Sequence, residues 1–376
     1  LARSGVIFDR AYVSSPICAA SRASMMTGLF PQQHGVIALS SGPFKHWRNG
    51  RVKAGLTLAR QLGDAGYTTA FYGKSHLGPP TEYGFEHGRE IGGHDDKSTF
   101  AMAEAFLSEH VKRSGPFFLW VAPRQPHVPL LPEQRWLQLY DPQKLTLPAN
   151  FREQPKKESV TNQGLPGQDY YRDSEYRNNH LRLSAGPPRD EATIREFIRA
   201  YYAVISHLDH QVGNLVKQLE TLGLRDKTVI VFLSDNGYHL GSHGLGNKIT
   251  MHEESVRVPM FITGPGVASG QRTMSLVSSL DLYPTLLELG GVDAVPKHAM
   301  GKSLAPVLSD PRKRVRDTVF SECVGVGGKP GEGHRMARND RWKFILTGTS
   351  EPYLFDQVDD PYEQNNSIDA PECPKI

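Results

Sequence analysis

Apolar positions along this chain follow two rhythms in turn. Leu56, Ala59 and Leu62 recur at helical spacing and stop at Gly66, after which Thr68 to Tyr72 forms a short β-branched and aromatic run. The succession repeats twice more: Phe100 to Val111 reads as a helix and Pro116 to Ala122 as a strand, then Ile194 to Leu222 reads as a long helix ended by Gly223 and Thr228 to Leu233 as a strand. The last run is uninterruptedly apolar after its threonine and is expected to be a central strand. Helices alternating with strands predict an α/β fold, a mostly parallel central sheet flanked by helices. In open sheets of this kind ligands bind beyond the carboxyl ends of the strands. Each of the three strands is followed at once by residues capable of chemistry: Gly73-Lys74-Ser75-His76, then Pro126-His127, then Ser234-Asp235-Asn236-Gly237. Three loops are therefore expected to converge on one rim.

After about Gly301 the rhythm changes to short β-like runs, Thr318 to Glu322, His334 to Ala337, Trp342 to Leu346 and Tyr353 to Phe355, separated by glycine-rich or charged turns. They predict a small antiparallel sheet, a C-terminal subdomain over 301–376 packed beside a main domain over 1–300. Within the main domain, residues 150–190 are polar and without periodicity, and are expected to form a surface excursion that shapes access to the site.

Composition narrows the function. A chain of 376 residues supports a large core and about two domains. A net charge of +3, with lysine and arginine scattered rather than blocked, argues against a nucleic-acid partner. Three cysteines, Cys18, Cys323 and Cys373, allow one internal disulfide at most and no disulfide framework. No apolar run approaches a membrane span, and Leu1-Ala2-Arg3-Ser4-Gly5 does not have the pattern of a signal peptide, so the compartment is not legible here.

The most informative stretch is Pro16 to Gly28, which reads as a loop entering a short helix. A cysteine at a helix start, Cys18, meets unpaired backbone N–H groups and the positive end of the helix dipole. Arg22, four residues on, falls on the same helical face, where a cation can hold an anion against the cysteine. Asp235 and Asn236 offer a carboxylate and an amide carbonyl in one turn, the oxygen donors a hard cation such as Ca²⁺ or Mg²⁺ takes. Lys74 supplies a point charge and His76 a group that can carry a proton.

The string Cys18-Ala19-Ala20-Ser21-Arg22, followed by Thr27-Gly28, resembles the alanine variant of the sulfatase signature. Gly73-Lys74-Ser75-His76-Leu77-Gly78 is similar to a second motif of that family, and Ser234-Asp235-Asn236-Gly237 with Lys248 and the following Glu253-Glu254-Ser255-Val256-Arg257-Val258-Pro259 to a third. Tyr353 to Asn366 is similar to the family's C-terminal subdomain. The resemblance implies an alkaline phosphatase-like fold and a sulfuric ester hydrolase. It implies that a maturation enzyme oxidises Cys18 to formylglycine, whose hydrate attacks sulfur, and that Asp235, Asn236 and the position-18 oxygen hold a divalent cation. It implies that Lys74, Lys248 and Arg22 neutralise the sulfate, that His127 protonates the leaving alcohol, and that His76 takes the proton that lets sulfate depart. The family's paired aspartates on an N-terminal strand have no match in this sequence. Substrates implied are carbohydrate or small aryl and alkyl sulfate esters, and the compartment implied is periplasmic or secreted. Two alternatives share the motifs: a phosphonate monoester or phosphodiester hydrolase of the same superfamily, and an inactive remnant that only binds. His239 and His243 lie near the metal turn without an assigned role.

Overall fold

The computed structural model describes residues 1–37, 54–93, 96–153, 190–246, 248–292, 295–323, 333–348 and 351–370. The polar excursion lies outside the described residues from 154 to 189, as does Cys373; Cys18 and Cys323 are both buried.

Strand β1 (Val6–Tyr12) carries the first apolar run, and the loop after it enters helix α1 (Cys18–Thr27). All ten residues of α1 are buried, and Gly28 ends it in the left-handed conformation, φ 69°. Helix α2 (Leu58–Asp64), capped by the Thr57 side chain, turns the chain into β2 (Thr68–Gly73). Next come β3 (His87–Glu90), α3 (Asp96–His110) and β4 (Phe117–Ala122). The long helix α4 (Glu191–Thr221) starts at Asp190, whose side chain accepts from the Thr193 N–H. It leads to β5 (Ile230–Leu233). Strands β6 (Arg257–Thr263), β7 (Gln271–Thr273) and β8 (Val277–Ser278) follow, then α5 (Leu282–Leu289).

Strands β3, β2 and β4 pair in that order as a parallel sheet. Strands β5, β6, β1 and β7 form a second sheet in which β6 runs antiparallel to its two neighbours while β7 and β8 run parallel to β1. The α/β fold with mostly parallel pairing is thus the one the apolar rhythm predicts. The position of Thr228 to Leu233 is not. β5 stands at the end of its sheet's pairing order, and its four residues are only partly buried. Its apolar run reflects contact through the two faces, which needs no neighbour at both edges: Val231 and Leu233 pack against the main core, Ile230 packs against the cluster holding Leu107 and Leu219, and Phe232 stacks on its cross-strand partner Phe261 with ring centroids 5.1 Å apart.

Strands β9 (Val319–Cys323), β10 (His334–Arg338), β11 (Trp342–Thr347) and β12 (Tyr353–Asp356) form the expected antiparallel sheet, in the order β12, β11, β10, β9. Val319, Cys323, Met336, Ile345 and Phe355 from it join Val6, Phe8, Tyr12, Val258 and Ile262 in one core. That continuity fixes the small sheet against β1.

Candidate active site

Cys18 is the first residue of α1. Ile17 caps the helix in an extended conformation with no side-chain hydrogen bond, so no capping side chain takes the N–H groups of the first turn. The thiol, on a residue only 1% exposed, lies 3.3 Å from His76 Nδ1.

His76 arrives from the end of β2. Gly73 closes that strand at φ +112°, where a Cβ would stand 2.1 Å from the Ala122 carbonyl oxygen; only glycine fits both the conformation and the approach. The Lys74 N–H donates to that same oxygen at 2.8 Å, which places the buried Lys74 side chain beside α1. His76 itself has φ 58°, in the left-handed region that few residues other than glycine adopt. Its N–H and that of Ser75 both donate to Glu90 Oε1, at 3.1 and 3.3 Å. The loop beyond β4 is held in a parallel way: Asp96 accepts from the Arg124 and Gln125 N–H groups at 2.6 and 2.9 Å, just ahead of His127.

Asp235 and Asn236 follow β5. Arg22 Nε donates to Asp235 Oδ2 at 2.7 Å, and Arg22 Nη1 donates to the Lys74 carbonyl. The turn is closed by Gly237, whose N–H donates to the Ser255 carbonyl at 2.9 Å and whose absent Cβ would meet the Glu254 carbonyl oxygen at 1.9 Å.

The electrostatics show these residues sharing one field. Burial opposes ionisation of Cys18, yet Lys248, Lys74 and the His76 hydrogen bond bring its pKa down to about 5. Burial lowers Lys74 to about 8, with Arg22 and Lys248 pushing the same way and the Cys18 and Asp235 charges opposing. Asp235 also resists ionisation through burial, but Arg22, Lys74 and Lys248 hold it well below the ordinary carboxylate range. Burial, then Lys248 and Lys74, lowers His127 to about 2. Cys18, Arg22, Lys74, His76, His127, Asp235 and Lys248 are therefore brought together, with Asn236 adjoining Asp235.

Two of these residues already have partners in the free protein. Arg22, expected to hold an anion against the cysteine, has its guanidinium on Asp235 and the Lys74 carbonyl, so it ties three segments together. His127, expected to donate a proton, has Nδ1 2.7 Å from the Val128 carbonyl. A carbonyl only accepts, so Nδ1 carries the hydrogen, and a neutral ring then leaves Nε2 with a lone pair. Before substrate arrives His127 is a proton acceptor.

The metal turn fits a hard cation. Asn236 Nδ2 donates to the Gly237 carbonyl at 2.9 Å, while Asn236 Oδ1 is buried with no hydrogen-bond partner. An orphaned carbonyl oxygen beside an ionised carboxylate is the donor pair such an ion takes. Glu90 and Asp96, which hold the His76 and His127 loops, carry no sequence signal. Glu90 gains its place only because β3 pairs in parallel with β2, setting Glu90 opposite Gly73.

A cradle of lysines, a buried thiol and an oxygen-donor turn at the strand ends of an α/β sheet is a setting suited to an anion. The comparisons narrow it. The family model described as Sulfatase matches residues 1–292, and one described as N-sulphoglucosamine sulphohydrolase, C-terminal, matches residues 241–376. An "Ulvan-active sulfatase" of Formosa agariphila is 27% identical over 99% of this chain and 72% of its own length. An "N-acetylglucosamine-6-O-sulfatase" of Bacteroides thetaiotaomicron is 26% identical over 100% and 78%. The structure of BT4656 in complex with its substrate D-glucosamine-2-N,6-O-disulfate superposes with a TM-score of 0.79 at 24% identity, covering 100% of this chain and 88% of that one. The chain belongs to the sulfatase family and is an enzyme of the sulfatase class.

Proposed function

We propose that this protein hydrolyses a sulfate ester of a carbohydrate through the oxidised form of Cys18. The observation that carries the reading is the setting of the Cys18 thiol: first residue of a helix, 3.3 Å from His76 Nδ1, in the field of Lys74 and Lys248. The sugar preference is supported by the relative that acts on N-acetylglucosamine 6-O-sulfate by name.

A cation held by Asp235 and Asn236 would polarise a sulfate oxygen, and the formylglycine hydrate at position 18 would supply the nucleophilic oxygen. The rest is the work of side chains present in the fold. Lys74 and Lys248 neutralise the nonbridging sulfate oxygens. Arg22 keeps Asp235 ionised and holds the Lys74 backbone to α1. His76 Nδ1, already in contact with the position-18 side chain, accepts a proton from it. His127 becomes a donor at Nε2 only once an anionic sulfate offsets the two lysines that now oppose its protonation.

Initial rates on a panel of sulfated sugars, aryl sulfates and phosphate diesters test the assignment. Faster release of sulfate from a sulfated sugar supports it. Faster cleavage of a phosphate diester overturns it.

A further inference from the structure

The loop after β5 and the C-terminal segment bring together a second collection of ligating side chains. His243, His252, Glu254 and Glu363 each present one donor atom, and the four atoms lie within 4.8 Å of one another. His243, His252 and Glu363 are 4%, 1% and 3% exposed. The group joins distant parts of the chain: His243 comes from the loop after β5, His252 and Glu254 from the start of the short helix Glu253–Val256, and Glu363 from the segment after β12.

The four side chains contact one another and their neighbours closely. The His243 and His252 rings stack with centroids 3.9 Å apart. His252 Nδ1 is 2.9 Å from Glu363 Oε2, and His243 Nε2 is 3.5 Å from Glu254 Oε2. Asn150 Nδ2 donates to Glu254 Oε1 at 2.7 Å and lies 2.9 Å from His243 Nε2 and 3.2 Å from the Tyr362 carbonyl. The outer oxygen of Glu363 is fixed by Lys343 Nζ at 2.7 Å and Gln357 Nε2 at 2.8 Å, an anchoring of the kind that orients a ligand carboxylate.

Independently, buried polar atoms without partners concentrate here: His252 Nε2, Glu254 Oε2, His239 Nδ1 and Asn150 Oδ1. Such atoms are rare and costly in a folded protein and point to an ion or water that fills the space. Lys343, Arg338 and Arg257 serve Glu253 and Glu363. Among the described residues Glu254 has no lysine or arginine partner, only His243 and Asn150.

We infer that His243, His252, Glu254 and Glu363 bind a divalent transition-metal ion of the zinc type, which clamps the loop after β5 to the C-terminal segment. Two imidazole nitrogens and two carboxylate oxygens suit zinc. They do not suit the hard cation of the Asp235–Asn236 turn, which meets oxygen donors only. A filled shell removes the charge imbalance at Glu254 and ties folding of the C-terminal segment to metal binding.

The test uses the full chain, stripped with a chelator and reloaded with Zn²⁺ alone. Equilibrium dialysis is expected to show one tightly held zinc, X-ray absorption at the zinc edge to show two imidazole ligands, and His252→Gln to weaken that binding at least about 100-fold. Failure of the wild-type chain to take up zinc, a zinc spectrum without imidazole, or equal zinc affinity in His252→Gln overturns the inference. Should His252→Gln not fold, Glu254→Gln and the wild-type spectrum decide on the same criteria.

Discussion

Replacing Lys74 by methionine in the immature chain, where position 18 is still a thiol, isolates the field that the site is built to produce. The fall of the Cys18 pKa from 9 to about 5 corresponds to about 5 kcal/mol in favour of the thiolate, of which about 3 kcal/mol is expressed at pH 7. The sign is fixed by the direction: the folded pKa lies below the unfolded one. The contribution is therefore complete above pH 9, shrinks as pH falls, and is gone below about 5. Lys248, Lys74 and His76 share the stabilisation, so losing Lys74 is expected to remove at least about 2 kcal/mol and to cut the thiolate fraction at pH 6 about fourfold. Methionine keeps the length of the buried stem, so packing changes little. Thiolate ultraviolet absorbance below pH 8, where Lys74 is itself still charged, reads the fraction directly, with Cys18→Ser as the blank. Urea titrations across the same range are expected to show the wild-type chain gaining stability with rising pH relative to Cys18→Ser. A wild-type thiol titrating near 9, or a Lys74→Met curve that overlies the wild type, would refute the reasoning.

Gly237→Ala is expected to lower stability by about 2 to 4 kcal/mol and to weaken calcium binding, because the added Cβ would fall 1.9 Å from the Glu254 carbonyl and push the Asp235–Asn236 turn away; wild-type urea midpoints and calcium titrations in this variant would count against the turn's role. In nitrogen NMR spectra of the free protein, His127 is expected to stay neutral with its hydrogen on Nδ1 from pH 5 to 8, then to take up a proton more readily when sulfate is added. A ring already protonated at pH 6 without sulfate would contradict the lysine field described here.

Much of this architecture is written in local pattern. The helix after Pro16, the strands ending at Gly73 and Ala122, and the four short strands beyond Gly301 each carry their periodicity and their punctuation in adjacent residues. The convergence of Lys74, His127 and Asp235 follows from where open sheets place their loops. What local pattern cannot carry is edge order and through-space partnership. The apolar run of β5 reads the same at an edge as at a centre when both of its faces pack. Glu90 reaches the His76 loop only through a parallel register, and Arg22 meets Asp235 across most of the main domain's sequence. His127 is a sharper lesson, because its protonation depends on a carbonyl one residue away and on lysines from two other loops.

The central claim is that the reacting group is a modified Cys18, and one paired measurement reaches it. The tryptic peptide Ala11–Arg22 is weighed in preparations made with graded amounts of a formylglycine-generating enzyme, and inorganic sulfate release from a sulfated sugar is followed in the same preparations. The expected result is turnover that rises in proportion to the aldehyde fraction at position 18 and vanishes in Cys18→Ala. Sulfate release from a preparation whose peptide is wholly thiol would contradict the account.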